Sequence, residues 1–206
     1  MAINRKFFFD QVRNRLFDGG LRRGQVDGLT AILDRWEGTI PGADDRWLAY
    51  MLGTAHHETG RTMQAVRETF APTDDRAIAI LERAFAAGRL AWVRTPYWRK
   101  DEEGRSWLGR GLVQLTHKTN YETMARETGI DLLGHPERAM ELDVAVTVMF
   151  TGMIKGSFTG RKLADYFSPS KEEWKPARRI INGLERAELV ASYAKAYYGA
   201  ISYTTE

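Results

Sequence analysis

The sequence contains no cysteine, which excludes disulfide bridges and thiolate chemistry and suits synthesis in a reducing compartment. Long apolar runs are missing as well. Nothing approaches the roughly 20 residues of a membrane-spanning helix, so no stable membrane insertion is expected. The opening residues are basic and carry Phe7-Phe8-Phe9, but Asp10 and Gln11 end that run before it reaches the length of a secretory signal core. If the protein acts outside the cytoplasm, something else must export it. A dominant charge is lacking too: 30 Lys and Arg against 27 Asp and Glu leave a net +3, scattered rather than blocked. That balance is compatible with a polyanionic substrate and insufficient to imply a nucleic-acid partner. Internal repeats, linkers and low-complexity tracts are also absent.

What is present is the material of a core. The 206 residues are 43% hydrophobic, which suits one globular domain spanning 1–206. Apolar residues recur at helical spacing along most of the chain. Residues 3–17 form a basic amphipathic helix with Phe8, Val12 and Leu16 on one side. Such a helix could touch an anionic membrane, but packing on the core is the expectation. A second helix, 22–36, buries Val26, Leu29, Leu33 and Trp36, and 38–45 is a loop with Pro41 and Gly42. A third runs through Trp47, Leu48, Met51, Leu52 and Ala55 to Glu58 and stops at Gly60. A loop, 61–72, follows. Thr73 caps a fourth helix, with Asp74 and Asp75 in its first turn and Gly88 at its end. Residues 89–116, with four Trp and Tyr residues and several glycines, read as an irregular insertion containing a short hairpin. Helices resume at 117–128 and 137–154. Ser170-Lys171-Glu172-Glu173 matches a capping box opening a helix toward Asn182-Gly183, and a last helix covers 186–202. The fold class is mainly α.

Three constellations could carry chemistry. Glu58 lies seven residues after Met51, on the inward stripe and at the negative end of its helix. Partial desolvation and the helix dipole both disfavour its charge, as suits a proton donor. The plainer alternative is a helix-end carboxylate paired with an arginine. Glu68 stands ten residues on, across a Gly-containing turn. Two carboxylates so arranged match the needs of glycosidic hydrolysis, an acid plus a base or nucleophile roughly 5 to 9.5 Å apart. The run Gly109-Arg110-Gly111-Leu112-Val113-Gln114-Leu115-Thr116 is neither a phosphate loop nor a dinucleotide fingerprint. Its alternation suggests a short extended segment showing Gln114 and Thr116 on one side, or simply a strand and turn. His56-His57-Glu58 lacks the second histidine of a zinc-protease helix, so no metal and no cofactor are expected.

Together these motifs resemble glycoside hydrolase family 19, chitinases whose phage and bacterial members include peptidoglycan-cleaving endolysins. The resemblance rests on His57-Glu58-Thr59-Gly60, Met63-Gln64-Ala65-Val66-Arg67-Glu68, the Gly109–Thr116 run with Asn120-Tyr121, and Ile181-Asn182-Gly183, in that order over about residues 22–202. It implies a lysozyme-like, two-lobed α-helical domain. It makes Glu58 the general acid and Glu68 the base, with Thr116 helping hold the attacking water. His57, Arg110, Gln114, Asn120, Tyr121 and Asn182 become substrate-binding candidates. The reaction implied is inversion by direct attack of water, without metal. Three departures stand out: the Cys-containing segment before the second Glu of plant-type members is missing, Leu108 replaces the aromatic before Gly-Arg-Gly, and their final-helix arginine has no counterpart. The expected function is hydrolysis of β-1,4 bonds between N-acetylmuramic acid and N-acetylglucosamine in peptidoglycan. The enzyme is expected to be a monomer, made in a bacterial cytoplasm and released to the wall through a separate holin-type pore. A chitinase of the same fold and a non-catalytic glycan-binding protein are the alternatives.

Overall fold

A computed structural model describes residues 2–40 and 42–204. Pro41, in the expected 38–45 loop, lies outside the described residues. The chain is mainly α, as its periodicity implies, and 54% of it is helical. It divides into two compact units: residues up to Gln64 together with those from Met149 onward, and Ala65–Val148 between them.

The first unit is built on three successive helices and a fourth from the chain's end. Helix α1 (Arg5–Leu16) starts where the Asn4 side chain accepts from the Phe7 N–H and buries Phe8, Val12 and Leu16, the stripe read from the sequence. Helix α2 (Arg23–Thr39) buries Leu29, Ile32, Leu33 and Trp36, while Val26 is only half-buried. Helix α3 (Asp45–Glu58) is capped by the Asp44 carboxylate and has every residue from Leu48 to His56 buried. A helix apolar all round belongs in the middle of a core. It stops at Thr59, and Gly60 follows at φ +56°.

The last helix of the chain, α7 (Ala187–Tyr198), lies directly on α3. A β-carbon added to Gly53 would stand 2.7 Å from the Ala194 backbone nitrogen, so only glycine permits that approach. Gly53→Ala would overpack the seam at about 1–3 kcal/mol. Further along it, the buried His56 Nδ1 lies 2.9 Å from the Tyr197 hydroxyl.

The second unit begins with a two-residue strand β1 (Val66–Arg67). Helix α4 (Asp74–Ala86) is capped by the Thr73 hydroxyl as expected. The insertion that follows is irregular, exposed over much of 89–105 and buried from Ser106 to Val113. Trp98 is fully buried and packs with Ala77, Leu81 and Leu108, and its indole N–H donates to Glu82 at 2.6 Å. The short hairpin expected inside the insertion amounts to one antiparallel bridge, between Arg110 and Leu115. The insertion's strand β2 (Arg110–Gly111) also pairs antiparallel with β1 outside it. Of the two readings of the run to Thr116, the strand and turn is the one found: residues 112–114 turn, with Gln114 at φ +55°, so that Arg110 and Leu115 bridge each other. Leu112, Val113 and Leu115 are all buried, and burial on successive residues overrides strict alternation. Helix α5 (Lys118–Thr128) ends on Gly129 in the left-handed conformation.

Helix α6 (Leu142–Lys155) begins later than expected, because Pro136 opens a 3-10 turn, Pro136–Met140, ahead of it. The helix expected from Ser170 does not form. Strands β3 (Phe167–Ser168) and β4 (Lys171–Glu172) make a hairpin around Pro169-Ser170, followed by a 3-10 turn at Pro176–Ile180. The Ser168 and Lys171 carbonyls accept from Arg46 instead of opening a helical ladder. The capping signal is local and the tertiary bonds outweigh it. Helix α7 (Ala187–Tyr198) closes the chain and buries Val190, Ala191, Ala194 and Tyr197.

Candidate functional site

The candidate residues fall into two groups, one in each unit. The first gathers at the end of α3. Glu58 is its last residue, and the Glu58 side chain is 16% exposed. Its Oε1 accepts from the Arg178 guanidinium at 2.5 Å, and Arg178 is itself almost fully buried. The arginine that the plainer reading of Glu58 requires is therefore present, 120 residues along the chain. Arg178 is presented by the 3-10 turn after the β3–β4 hairpin and also donates to the Glu185 carbonyl. His57 is half-buried, and burial pushes its imidazole below the ordinary histidine value. Asn182 is exposed and bonds through its backbone N–H to the Arg178 carbonyl, so it joins this group through Arg178.

The second group gathers around Gly109. Glu68 follows β1, and its backbone N–H donates to the Gly109 carbonyl at 2.7 Å. Its carboxylate is held by two neutral donors, the Tyr97 hydroxyl on Oε1 at 2.6 Å and the Gly109 N–H on Oε2 at 2.9 Å. Burial, and then the bond to Glu68, raise the Tyr97 phenol far above its usual value, so it stays a donor. A β-carbon on Gly109 would meet Gln114 Oε1 at 2.7 Å, Thr116 Cγ2 at 3.1 Å and Glu68 Cβ at 3.4 Å. Three separately expected site residues thus crowd one α-carbon that has no side chain. Gln114 is fixed by a bond to the Val66 carbonyl, and Asn120 by one to the Thr116 carbonyl. Thr116 does not cap α5: the cap position is His117, without a side-chain cap bond. The Thr116 hydroxyl has no protein hydrogen-bond partner among the described residues.

Directly after Glu68 the backbone is strained. Thr69 and Phe70 adopt φ +63° and +56°, a region that bulky side chains rarely enter, and the Phe70 ring is 61% exposed. Such outliers persist where the surroundings over-determine them, commonly at functional sites.

Arg110 and Tyr121, expected at the substrate, are buried and turned toward protein partners. Arg110 is 1% exposed, with its guanidinium on Asp74 at 2.5 Å, the Tyr121 hydroxyl at 2.8 Å and the Ser106 carbonyl at 3.0 Å. Tyr121 is fully buried and donates to the Leu108 carbonyl. Both residues brace the Gly109 segment from beneath. A buried guanidinium needs a carboxylate, and Asp74 supplies one. Burial works against the Asp74 charge, but the bonds from Arg110 and Arg67 prevail and hold its carboxyl below the usual range.

Two functional candidates were not found by sequence reasoning. Arg178 carries no local signal linking it to Glu58. Tyr97 sits in the aromatic insertion, where its neighbour Trp98 is a core residue and nothing in the spacing distinguishes the two. Among the described residues, no three His, Asp or Glu side chains converge as a metal site, and no helix is long and apolar enough to cross a membrane. The sequence matches none of the known protein-family models scanned, and a search of curated proteins finds no match.

Proposed function

We propose that the protein is a glycoside hydrolase of the kind found in family 19. It cleaves the β-1,4 glycan strand of peptidoglycan with Glu58 as general acid and Glu68 as general base. The observation that carries this reading is the assembly around Gly109. Glu68, 41 residues before Gly109, meets Gln114 and Thr116 there, with its carboxylate oriented by two neutral donors. A base that must accept a proton from water is best held by groups that orient it without adding a positive charge. Thr116, with its hydroxyl unclaimed by protein, is suited to fix the direction of that water. Glu58, on the last turn of a buried helix, is positioned by Arg178 and must take up a proton before it can serve as the acid. The enzyme reaches the wall by release from a bacterial cytoplasm through a separate pore.

Mass analysis of products released from purified peptidoglycan tests the reading. Fragments with new reducing ends at N-acetylmuramic acid are expected. Release from chitin alone would favour the chitinase alternative. No release from either glycan by folded protein would leave only a binding role and overturn the proposal.

A further inference from the structure

A cavity in the Ala65–Val148 unit, about 750 Å3, lies between the aromatic insertion and the start of α5. Its volume falls within the roughly 300–1,000 Å3 of small-molecule sites. Its lining contains no Asp or Glu. Trp92, 75% exposed, is the most exposed large hydrophobic residue of the described chain and stands at this cavity. Two cations of the lining, Arg94 and Lys118, form no ion pair with a carboxylate among the described residues, whereas Arg99 is neutralised by Glu82. Lys118 is instead held with its ammonium 5.7 Å from the Trp107 ring centroid. Tyr97 lines the same cavity while its hydroxyl holds Glu68.

We propose that this cavity is a subsite for a carboxylate-bearing amino sugar of the glycan strand; the proposal rests on the glycosidase reading above. An exposed indole face takes the apolar face of a pyranose ring, and its edge tolerates the wet rim. A guanidinium accepts a carboxylate through two parallel bonds, and an ammonium adds a point charge. A neutral N-acetylglucosamine unit would use Trp92 and leave both cations idle. An N-acetylmuramyl unit, with its lactyl group and peptide stem, would engage all three. Through Tyr97 the occupied subsite adjoins Glu68, so it would select acidic glycan where the candidate base is held. Aromatic and cationic groups also suit single-stranded nucleic acid, but a bounded cavity beside an oriented carboxylate favours the sugar.

The test uses the full chain and N-acetylmuramyl dipeptide, which has no glycosidic bond to cleave, followed by NMR. The dipeptide should shift the Trp92 indole N–H, assigned with Trp92→Phe, and bind about tenfold more tightly than N-acetylglucosamine. Arg94→Gln alone, on an exposed loop, should reduce that preference, and Arg94→Gln with Lys118→Gln should abolish it. Equal binding of the two sugars, or shifts confined to other indoles, would overturn the subsite, as would an oligonucleotide that shifts Trp92 when the dipeptide does not. Wild-type cleavage of peptidoglycan is measured separately. Cleavage without the preference removes the subsite alone. The preference without cleavage keeps the subsite and removes the hydrolase reading.

Discussion

Glu58 and Glu68 are both candidate catalytic carboxylates, and they are held in opposite ways. Glu58 ends a regular, buried helix and is anchored by charge, on the buried guanidinium of Arg178. Glu68 lies in irregular backbone and is anchored by a phenol and a peptide N–H, neither of them charged. The difference has an energetic meaning. Removing the negative charge at 58 strands a buried cation, so function and stability are tied together there. Removing it at 68 leaves neutral partners that a carboxamide can still satisfy, so the two are separable.

The paired substitutions Glu58→Gln and Glu68→Gln test this most strongly. Both should reduce glycan cleavage by about 10² to 10⁴-fold, the usual share of general acid–base catalysis. Only Glu58→Gln should also cost stability, about 1–3 kcal/mol, because Arg178 loses its counter-charge. Denaturant melts of both proteins decide this. Equal losses of stability would erase the distinction, and near-wild-type turnover in either would remove that residue from the mechanism.

Acid should separate the two units. Burial, with help from the Arg61 charge, lowers the His56 imidazole from 6.5 to about 4 in the folded state. A histidine depressed in this way contributes stability that is complete above its unfolded value and is lost as pH falls from about 6.5 toward 4. The loss is up to about 3 kcal/mol. In the second unit Asp74 is also depressed, so its contribution holds above 3.8 and is lost only below that value. Hydrogen exchange at pH 5 should therefore show faster opening around α3 and α7 than around α4. Uniform opening would count against a special role for His56.

Tyr97→Phe sharpens the account of Glu68. It removes one of the two neutral donors and keeps the ring, so turnover should fall about tenfold and stability by about 1 kcal/mol. Unchanged turnover would mean that the Gly109 N–H suffices. Thr116 supplies the smallest perturbation of structure. Because its hydroxyl caps nothing, Thr116→Val should change stability by less than about 0.5 kcal/mol. It should still lower turnover by about tenfold, with Thr116→Ser retaining most of it. A rate for the Val variant equal to wild type would retire the water-positioning role.

Much of the helical frame was legible, because periodicity and caps are local. Phe8, Val12 and Leu16 mark the buried face of α1, Thr73 caps α4, and Gly129 ends α5. The grouping of Glu68 with Thr116 was expected only through the family resemblance. What could not be read depends on partners far along the chain. Arg178 meets Glu58 across 120 residues, and Tyr97 meets Glu68 across 29. Arg110 misled because an arginine between glycines reads as a ligand-facing cation. Only the fold reveals Asp74 and Tyr121 waiting beneath it. The capping box at Ser170 misled for the reverse reason, a good local signal overruled by bonds from Arg46.

The two left-handed residues after Glu68 bear on how such a protein responds to selection. Thr69 and Phe70 hold conformations that cost about 1–3 kcal/mol each and that glycine adopts freely. Directed evolution for heat tolerance alone should therefore find Thr69→Gly early, with a melting temperature raised by about 2–4 °C per kcal/mol recovered. Directed evolution for wall clearing should reject it, because the slack it introduces adjoins the candidate base. Passaging one library under each regime and sequencing position 69 would show whether the two pressures diverge there. Convergence on glycine under both would mark the strain as an accident of descent rather than a maintained adaptation.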